Sequence, residues 1–375
     1  MKTFQLSYIN LRALGLLAST FLFFTASCKT TSSDLDSTTK WRIIDTEKSP
    51  QEVQEPEWLK VVDEAQSKYP IQENCRPASF KHKTETKKGV VVLLHGFTAC
   101  PQQFFDLASN LSHEGWDVLM PLLPGHGKVR EGVEQEFLPG MDNYQKKMGD
   151  FVDQINKMAT AYPANEKVIS GLSLGGAYAT AAIQNSPTLY DRALIVVPFY
   201  KMSGPISQVI GGAKNLSKMN KPFQWPGKAF LNIGFGWGPG CEKEVKLGRA
   251  GICSFNFDHL AAAQQFGYDL SDDEKAENSL KIKNVQFVAV NGDAAVDNNR
   301  INNFYKKLVH TETTKSICLY RKPANHSLGS RFDAPNEDKF WMQSYNQDAL
   351  SYITKGTFFR HGSQEIIGHN ECFVD

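Results

Sequence analysis

An α/β fold, a mostly parallel sheet flanked by helices, is what this 375-residue sequence predicts. Three observations predict it. Continuous β-branched runs such as Gly89-Val90-Val91-Val92-Leu93-Leu94 read as strands buried on both faces of a sheet. Between such runs lie segments whose apolar residues recur every three and four positions, the period of an amphipathic helix. The two kinds of segment alternate along the chain, as successive βαβ units require.

The elements follow in order. Trp58, Val61, Val62, Ala65 and Tyr69 recur at helical spacing and stop at Pro70, so a helix is expected over 56–69, within an N-terminal extension spanning 56–84. The strand 89–94 ends in His95-Gly96. Phe104, Leu107, Ala108 and Leu111 then form a helical stripe that Gly115 stops, and 116–120 reads as the next strand. Tyr144, Met148, Phe151, Ile155, Met158 and Tyr162 make a strongly periodic helix before the short strand 167–170. Residues 176–184 are Ala-rich and helical, and 193–197 is a further buried strand. From Tyr200 to about Lys281 the chain is rich in Gly, Lys and aromatics and shows no comparable strand, so 201–281 reads as an insertion dividing a core of 85–200 from one of 282–375. The alternation resumes with the strand 285–290, a helix near 299–308, the strand 316–320 and a helix over about 336–354.

Composition excludes several function classes. Apolar residues at 41%, charged residues at 22% and a formal net charge of +1 are ordinary globular values and give no reason to expect a polyanionic partner. No internal repeat and no nucleic-acid motif is present. The first residues read as an export signal: Lys2 and Arg12 precede an apolar run from Ala13 to Phe24, shorter than the roughly 18–20 residues that span a bilayer. Thr25, Ala26 and Ser27 lead into Cys28. A small-residue run ending in cysteine resembles the lipobox of bacterial lipoproteins, although Thr25 stands where such boxes usually carry Leu. That resemblance implies a signal peptide over 1–27, a diacylated Cys28 anchoring the protein to a membrane and, with Lys29 after the cysteine, delivery to the outer membrane of a cell envelope. Ordinary secretion with cleavage nearby is the alternative. The Ser/Thr-rich stretch 29–40 reads as part of a tether over 28–55.

Apart from Cys28 there are six cysteines, Cys75, Cys100, Cys241, Cys253, Cys318 and Cys372, an even number that suits a compartment where disulfides persist. Cys241 and Cys253 bracket a short Gly-containing loop and are the expected local pair. With no CxxC spacing anywhere, no metal site is expected.

Chemistry concentrates at Gly171-Leu172-Ser173-Leu174-Gly175, a G-x-S-x-G placed between a predicted strand and a predicted helix. Small flanking residues let the backbone turn sharply, so that the Ser173 hydroxyl stands above the sheet at a helix N-terminus. A serine hydroxyl is a weak nucleophile and needs a base within hydrogen-bond reach, held in turn by a carboxylate. Asp293 follows the strand 285–290, and His326 follows the strand 316–320, both at carboxyl ends where the reactive loops of open α/β sheets collect. Asp297 is the competing carboxylate and a candidate N-cap for the helix after it. An oxyanion hole needs two backbone N–H groups. Leu174, next to Ser173, offers one, and the loop His95-Gly96-Phe97-Thr98-Ala99 offers Phe97 as the other, with His95 expected to brace that loop.

HGFTA at 95–99, LPGHG at 123–127, GLSLGG at 171–176, Asp293 with Asp297, and NHS around His326 together resemble the monoacylglycerol lipase and bacterial carboxylesterase branch of the α/β-hydrolases, over about 85–355. The family pattern G-x-x-D is departed from, since Val290 stands three residues before Asp293. The resemblance implies an α/β-hydrolase fold whose insertion is a cap over the active site. It also implies cleavage of a small-molecule ester through an acyl-Ser173 intermediate, without a cofactor. Phe223, Trp225, Phe230, Phe235 and Trp237 within the insertion would serve either as an acyl-binding wall or as the cap's own core. Thioesterase, peptidase or acyltransferase chemistry would use the same triad, and a non-catalytic binding module is the rival of a different class.

Overall fold

The computed structural model describes residues 42–44, 71–72, 75–82, 87–127, 138–217, 227, 229, 231, 234–236, 251–252, 254–272, 280–308, 314–321, 324–328, 340–357 and 371–374. In chain order its elements are β1 (Arg42–Ile44), β2 (Ala78–Phe80), β3 (Gly89–Leu94), α1 (Phe105–His113), β4 (Trp116–Met120), α2 (Tyr144–Ala161), β5 (Lys167–Leu172), α3 (Leu174–Asn185), β6 (Arg192–Val196), α4 (Pro205–Ser217), β7 (Gly234–Gly236), β8 (Ser254–Asn256), α5 (Phe257–Leu270), β9 (Asn284–Val290), α6 (Asn298–Lys307), β10 (Thr314–Tyr320), α7 (Phe340–Lys355) and β11 (Glu371–Val374).

Among the described residues nine strands form one sheet in the order β1-β2-β4-β3-β5-β6-β9-β10-β11. Every pair from β4 to β10 is parallel. All six residues of β3 are buried, as its unbroken apolar run demands of a strand covered on both faces, and all five of β4 are buried too, Asp117 among them held by Lys87, the His82 N–H and the Tyr162 hydroxyl. Burying one such Val, Leu or Phe side chain contributes about 1.5–3 kcal/mol. The core is continuous across the sheet, from Leu93 and Val118 to Phe287 and Tyr320.

The chain steps from β3 outward to β4, then crosses back to β5 on the other side of β3. Right-handed crossovers in opposite directions put the following helices on opposite faces. Accordingly α1 packs with α7, whereas α3 packs with α2 and α5. The carboxyl ends of β3 and β5 therefore diverge at a topological switch point, the place where open α/β sheets form a crevice.

Three strands differ from the sequence expectation. β2 lies within the stretch expected to be a helical extension, yet it pairs antiparallel with β4, Ala78 opposite Met120. β1, within the expected tether, runs parallel to β2. β11, beyond the last expected helix, pairs antiparallel with β10. β1 and β2 are three residues long and β11 four, too short for a period-2 pattern to declare itself, and each is defined by the strand it adds to. The helix expected over 56–69, the signal peptide, Cys28, Cys241 and Cys253 lie outside the described residues.

The insertion is not featureless. It carries α4, the antiparallel pair β7–β8 and α5. Asn256 caps α5 by accepting the His259 N–H at 3.0 Å, and the His259 ring returns a bond to the Asn256 N–H at 3.2 Å, a reciprocal cap that starts the helix. Ile210 and Ala213 of α4 close a small apolar cluster with Leu231, Phe257 and Ala261. Phe223, Trp225, Phe230 and Trp237 of the aromatic group lie outside the described residues, and Phe235 is placed on β7 by its backbone.

Candidate active site

β5 runs straight into Ser173, whose φ of 58° and ψ of −117° begin α3. A positive φ on a non-glycine residue is strained, costing on the order of 1–3 kcal/mol, and persists only where the surroundings hold it. Here the Ser173 N–H donates to the Val196 carbonyl at 2.9 Å, and the Ser173 carbonyl accepts from Phe199 N–H at 2.9 Å and from Ala177 N–H at 3.1 Å. The turn is sharp enough that a Cβ on Gly171 would overlap the Gly175 carbonyl, and one on Gly175 would overlap the Leu94 carbonyl. That close approach is why the G-x-S-x-G glycines are needed.

Asp293 leaves β9 after a turn through Gly292, whose φ is +72°. Its side chain is wholly buried. Oδ1 accepts the N–H groups of Ala295 at 2.8 Å and Val296 at 3.1 Å, and Oδ2 meets His326 Nδ1 at 2.8 Å. With one oxygen occupied by backbone, the other is aimed at the imidazole, which therefore carries its proton on Nδ1 and leaves Nε2 as an acceptor. His326 follows β10, the parallel neighbour of β9, and its own side chain is 24% exposed. Ser173 stands on the same carboxyl edge, after β5. The structure joins Asp293 to His326 directly, and it forms no hydrogen bond between His326 and Ser173. Catalytic contacts of this kind commonly tighten only when substrate is bound.

Asp297, the rival carboxylate, has another occupation. Its Oδ1 accepts the Asn299 N–H at 2.9 Å as the N-cap of α6, and its Oδ2 pairs with Lys201 Nζ at 2.7 Å. Burial pushes this carboxyl up, but the bonds from Lys201 and from the Asn299 and Arg300 N–H groups outweigh it and hold the pKa below the usual carboxylate value.

The loop after β3 lies across the switch point from Ser173. His95 is fully buried, and burial together with the neighbouring His126 pushes its pKa well below the ordinary histidine value, so it is neutral. Its Nε2 accepts the Leu123 N–H at 2.9 Å and its Nδ1–H donates to the Gly96 carbonyl at 2.9 Å, which makes it a brace between two loops. Gly96 N–H donates to Gln103 Oε1 at 2.9 Å, and Thr98 N–H donates to His126 Nε2 at 3.2 Å. Phe97 N–H, between them, has no acceptor among the described residues. Leu174 N–H, in the first turn of α3, has no intrahelical partner either. Among the described residues, both of the N–H groups expected for an oxyanion hole are thus uncommitted.

The insertion touches both sides of this crevice. The Gly251 N–H donates to the Thr98 carbonyl, its carbonyl accepts from Gly127 N–H, and Phe255 of β8 stands edge-on to the Phe97 ring at 5.0 Å. At the other side the Ser203 N–H donates to the Ala295 carbonyl and the Asp297 N–H to the Lys201 carbonyl. A small cavity between the loop after β3 and α3 is lined by Phe97, His126, Leu138, Leu174, Tyr178 and His259. Among the described residues no group of His, Cys, Asp or Glu is arranged to hold a metal ion. The sequence reading missed Gln103 and His126. LPGHG drew attention to the second only as a motif, and nothing in the local pattern marks the first.

Comparison with known proteins agrees with the fold. Residues 85–230 match the model of the family described as serine aminopeptidase, S33. A curated relative from Mycoplasma genitalium, an esterase/lipase by name, is 25% identical over 129 residues, 34% of this chain, and the match spans only 45% of the relative's length. Among solved structures, the chain is similar to a monoacylglycerol lipase of Paleococcus ferrophilus, with TM-score 0.53, 18% identity, 74% of this chain and 97% of that one. It is likewise similar to a soluble variant of the monoglyceride lipase of Saccharomyces cerevisiae, with TM-score 0.57, 16% identity and coverage of 76% and 92%. A metagenome-derived lipolytic enzyme gives TM-score 0.54 at 17% identity, covering 76% of this chain and 99% of that one.

Proposed function

With the fold of the α/β-hydrolases as premise, we propose that this protein cleaves carboxylic esters, of acylglycerols or other lipid-like substrates, through an acyl-Ser173 intermediate. The observation that carries the reading is the buried Asp293 carboxylate bonded at 2.8 Å to His326, on the sheet edge that also presents the strained Ser173 turn. His326 Nε2 takes the Oγ proton as Oγ attacks the ester carbonyl, and Phe97 N–H and Leu174 N–H receive the negative charge on the carbonyl oxygen. Collapse expels the alcohol, which leaves with the proton from His326. Water, deprotonated by the same imidazole, then releases the acid and restores Ser173.

A fluorophosphonate probe should label the wild-type protein and not Ser173→Ala, and a graded series of p-nitrophenyl esters should be hydrolysed only by the former. A labelled protein that turns over aminoacyl anilides and no ester would favour the aminopeptidase reading, which the family model supports. Failure to label would favour the binding module.

The reading extends to where the enzyme works. The run ending in Cys28 supports an exported protein held to the cell envelope by a lipid anchor, with the ester as its small-molecule partner. Cys318 is disulfide-bonded and stands directly opposite Cys372 in the β10–β11 register, which supports the same oxidising destination. Peptide mapping without reduction should recover the two cysteines in one linked pair.

A further inference from the structure

We propose that Gln103 and His126 are positioning residues that hold Phe97 N–H as an oxyanion donor, an inference that rests on the esterase reading above. Three consecutive N–H groups leave β3 after His95. The first, on Gly96, is held by the Gln103 side-chain oxygen at 2.9 Å, and the third, on Thr98, by His126 Nε2 at 3.2 Å. Both side chains are buried, at 5% and 2% exposure, so water does not compete for the bonds. Only the middle group, on Phe97, is left to a ligand.

The clamp is needed because the loop is strained. Thr98 has a φ of 69°, a left-handed conformation that a β-branched residue adopts only under constraint. His126 holds its N–H and Gly251 its carbonyl, so the peptide units on both sides of Thr98 are pinned. Since His126 Nε2 accepts from Thr98, its Nδ1–H donates to the Pro124 carbonyl at 3.0 Å. The ring thus ties the loop to its own 123–127 turn, and its edge-to-face contacts with His95 at 5.0 Å and Phe97 at 5.9 Å fill the space between. Releasing either clamp would let the Phe97 N–H swing away from the carbonyl oxygen without altering the nucleophile, the base or the acid.

The test compares kcat and KM for Gln103→Leu, His126→Phe and His126→Gln in the full chain, with wild-type Ser173 labelling as the reference. Gln103→Leu keeps the volume and removes the acceptor. His126→Phe keeps the aromatic contacts and removes the acceptor, while His126→Gln returns a side-chain oxygen near the Nε2 position. The two acceptor-less variants should lose roughly 10–100-fold in kcat with KM changed less than about twofold, because misplacing one oxyanion donor costs transition-state binding alone. Their affinity for a trifluoromethyl ketone, which forms a tetrahedral adduct at Ser173, should fall in proportion, and His126→Gln should recover most of the loss. Unchanged kcat in folded Gln103→Leu and His126→Phe, or a His126→Gln as impaired as His126→Phe, overturns the clamp while leaving the esterase reading intact. A wild-type protein without Ser173-dependent turnover overturns both.

Discussion

At the scale of single residues, two carboxylates four positions apart show how environment assigns roles. Asp293 spends one oxygen on backbone N–H groups and turns the other to His326, whereas Asp297 caps α6 and pairs with Lys201. Replacing Asp293 with Asn should leave the melting temperature nearly unchanged and lower kcat by about 10⁴, since the imidazolium formed during reaction loses its charged partner and the imidazole its tautomer. Asp297→Asn keeps a good N-cap and gives up only the partly exposed Lys201 pair, so it should cost less than about 1 kcal/mol of stability and little chemistry. A kinetic collapse confined to Asp297→Asn would reverse the two assignments. The Asp297 pair also sets a pH dependence with a definite sign. A carboxyl depressed in the folded state stabilises above its unfolded value of about 4, and that stability is lost as the pH falls through the folded value. Lys201, raised chiefly by its hydrogen bond to Asp297, stabilises below its ordinary value of 10.5 and loses this as the pH climbs past it. The melting-temperature gap between wild type and Asp297→Asn should therefore stay level from pH 5 to 9 and narrow below about pH 4. The pair is partly exposed, so solvent screening keeps the gap small.

At the scale of elements, β3 occupies the residues its apolar run predicts, because a strand buried on both faces writes its burial directly into composition. β5 extends two residues past its expected end, to Leu172, and α3 begins two residues early, at Leu174, so the strand and helix abut at Ser173 with no loop between them. That abutment is the physical demand behind Gly171 and Gly175. Gly175→Ala should force the elbow away from β3, costing roughly 1–3 kcal/mol in stability by overpacking and most of the activity by displacing Ser173. Thermal melting and fluorophosphonate labelling together check it, and an Ala variant with wild-type melting and labelling would show that the approach to Leu94 is slack. The short strands β1, β2 and β11 were not legible, since three or four residues carry no period and their identity comes from the partner strand.

At the scale of the whole molecule, the insertion is tied at both sides of the crevice. Gly251 bonds the loop after β3, and residues 201–203 bond the loop that carries Asp293. The proposed anchor acts at this scale too: Cys28→Ser should move the protein from the membrane fraction to the soluble one without changing kcat on a soluble ester, and unchanged fractionation would count against lipidation. The alternation of buried runs and amphipathic stripes was enough to establish the parallel sheet. The motif between strand and helix was enough to single out Ser173, and chain order to nominate Asp293 and His326, because these signals are local or sequential. Tertiary structure alone decided which carboxylate faces the imidazole, and that Gln103 and His126 hold the N–H groups on either side of Phe97. Those contacts join residues brought together by crossovers of the chain, and a hydrogen bond between distant segments leaves no periodicity in either of them.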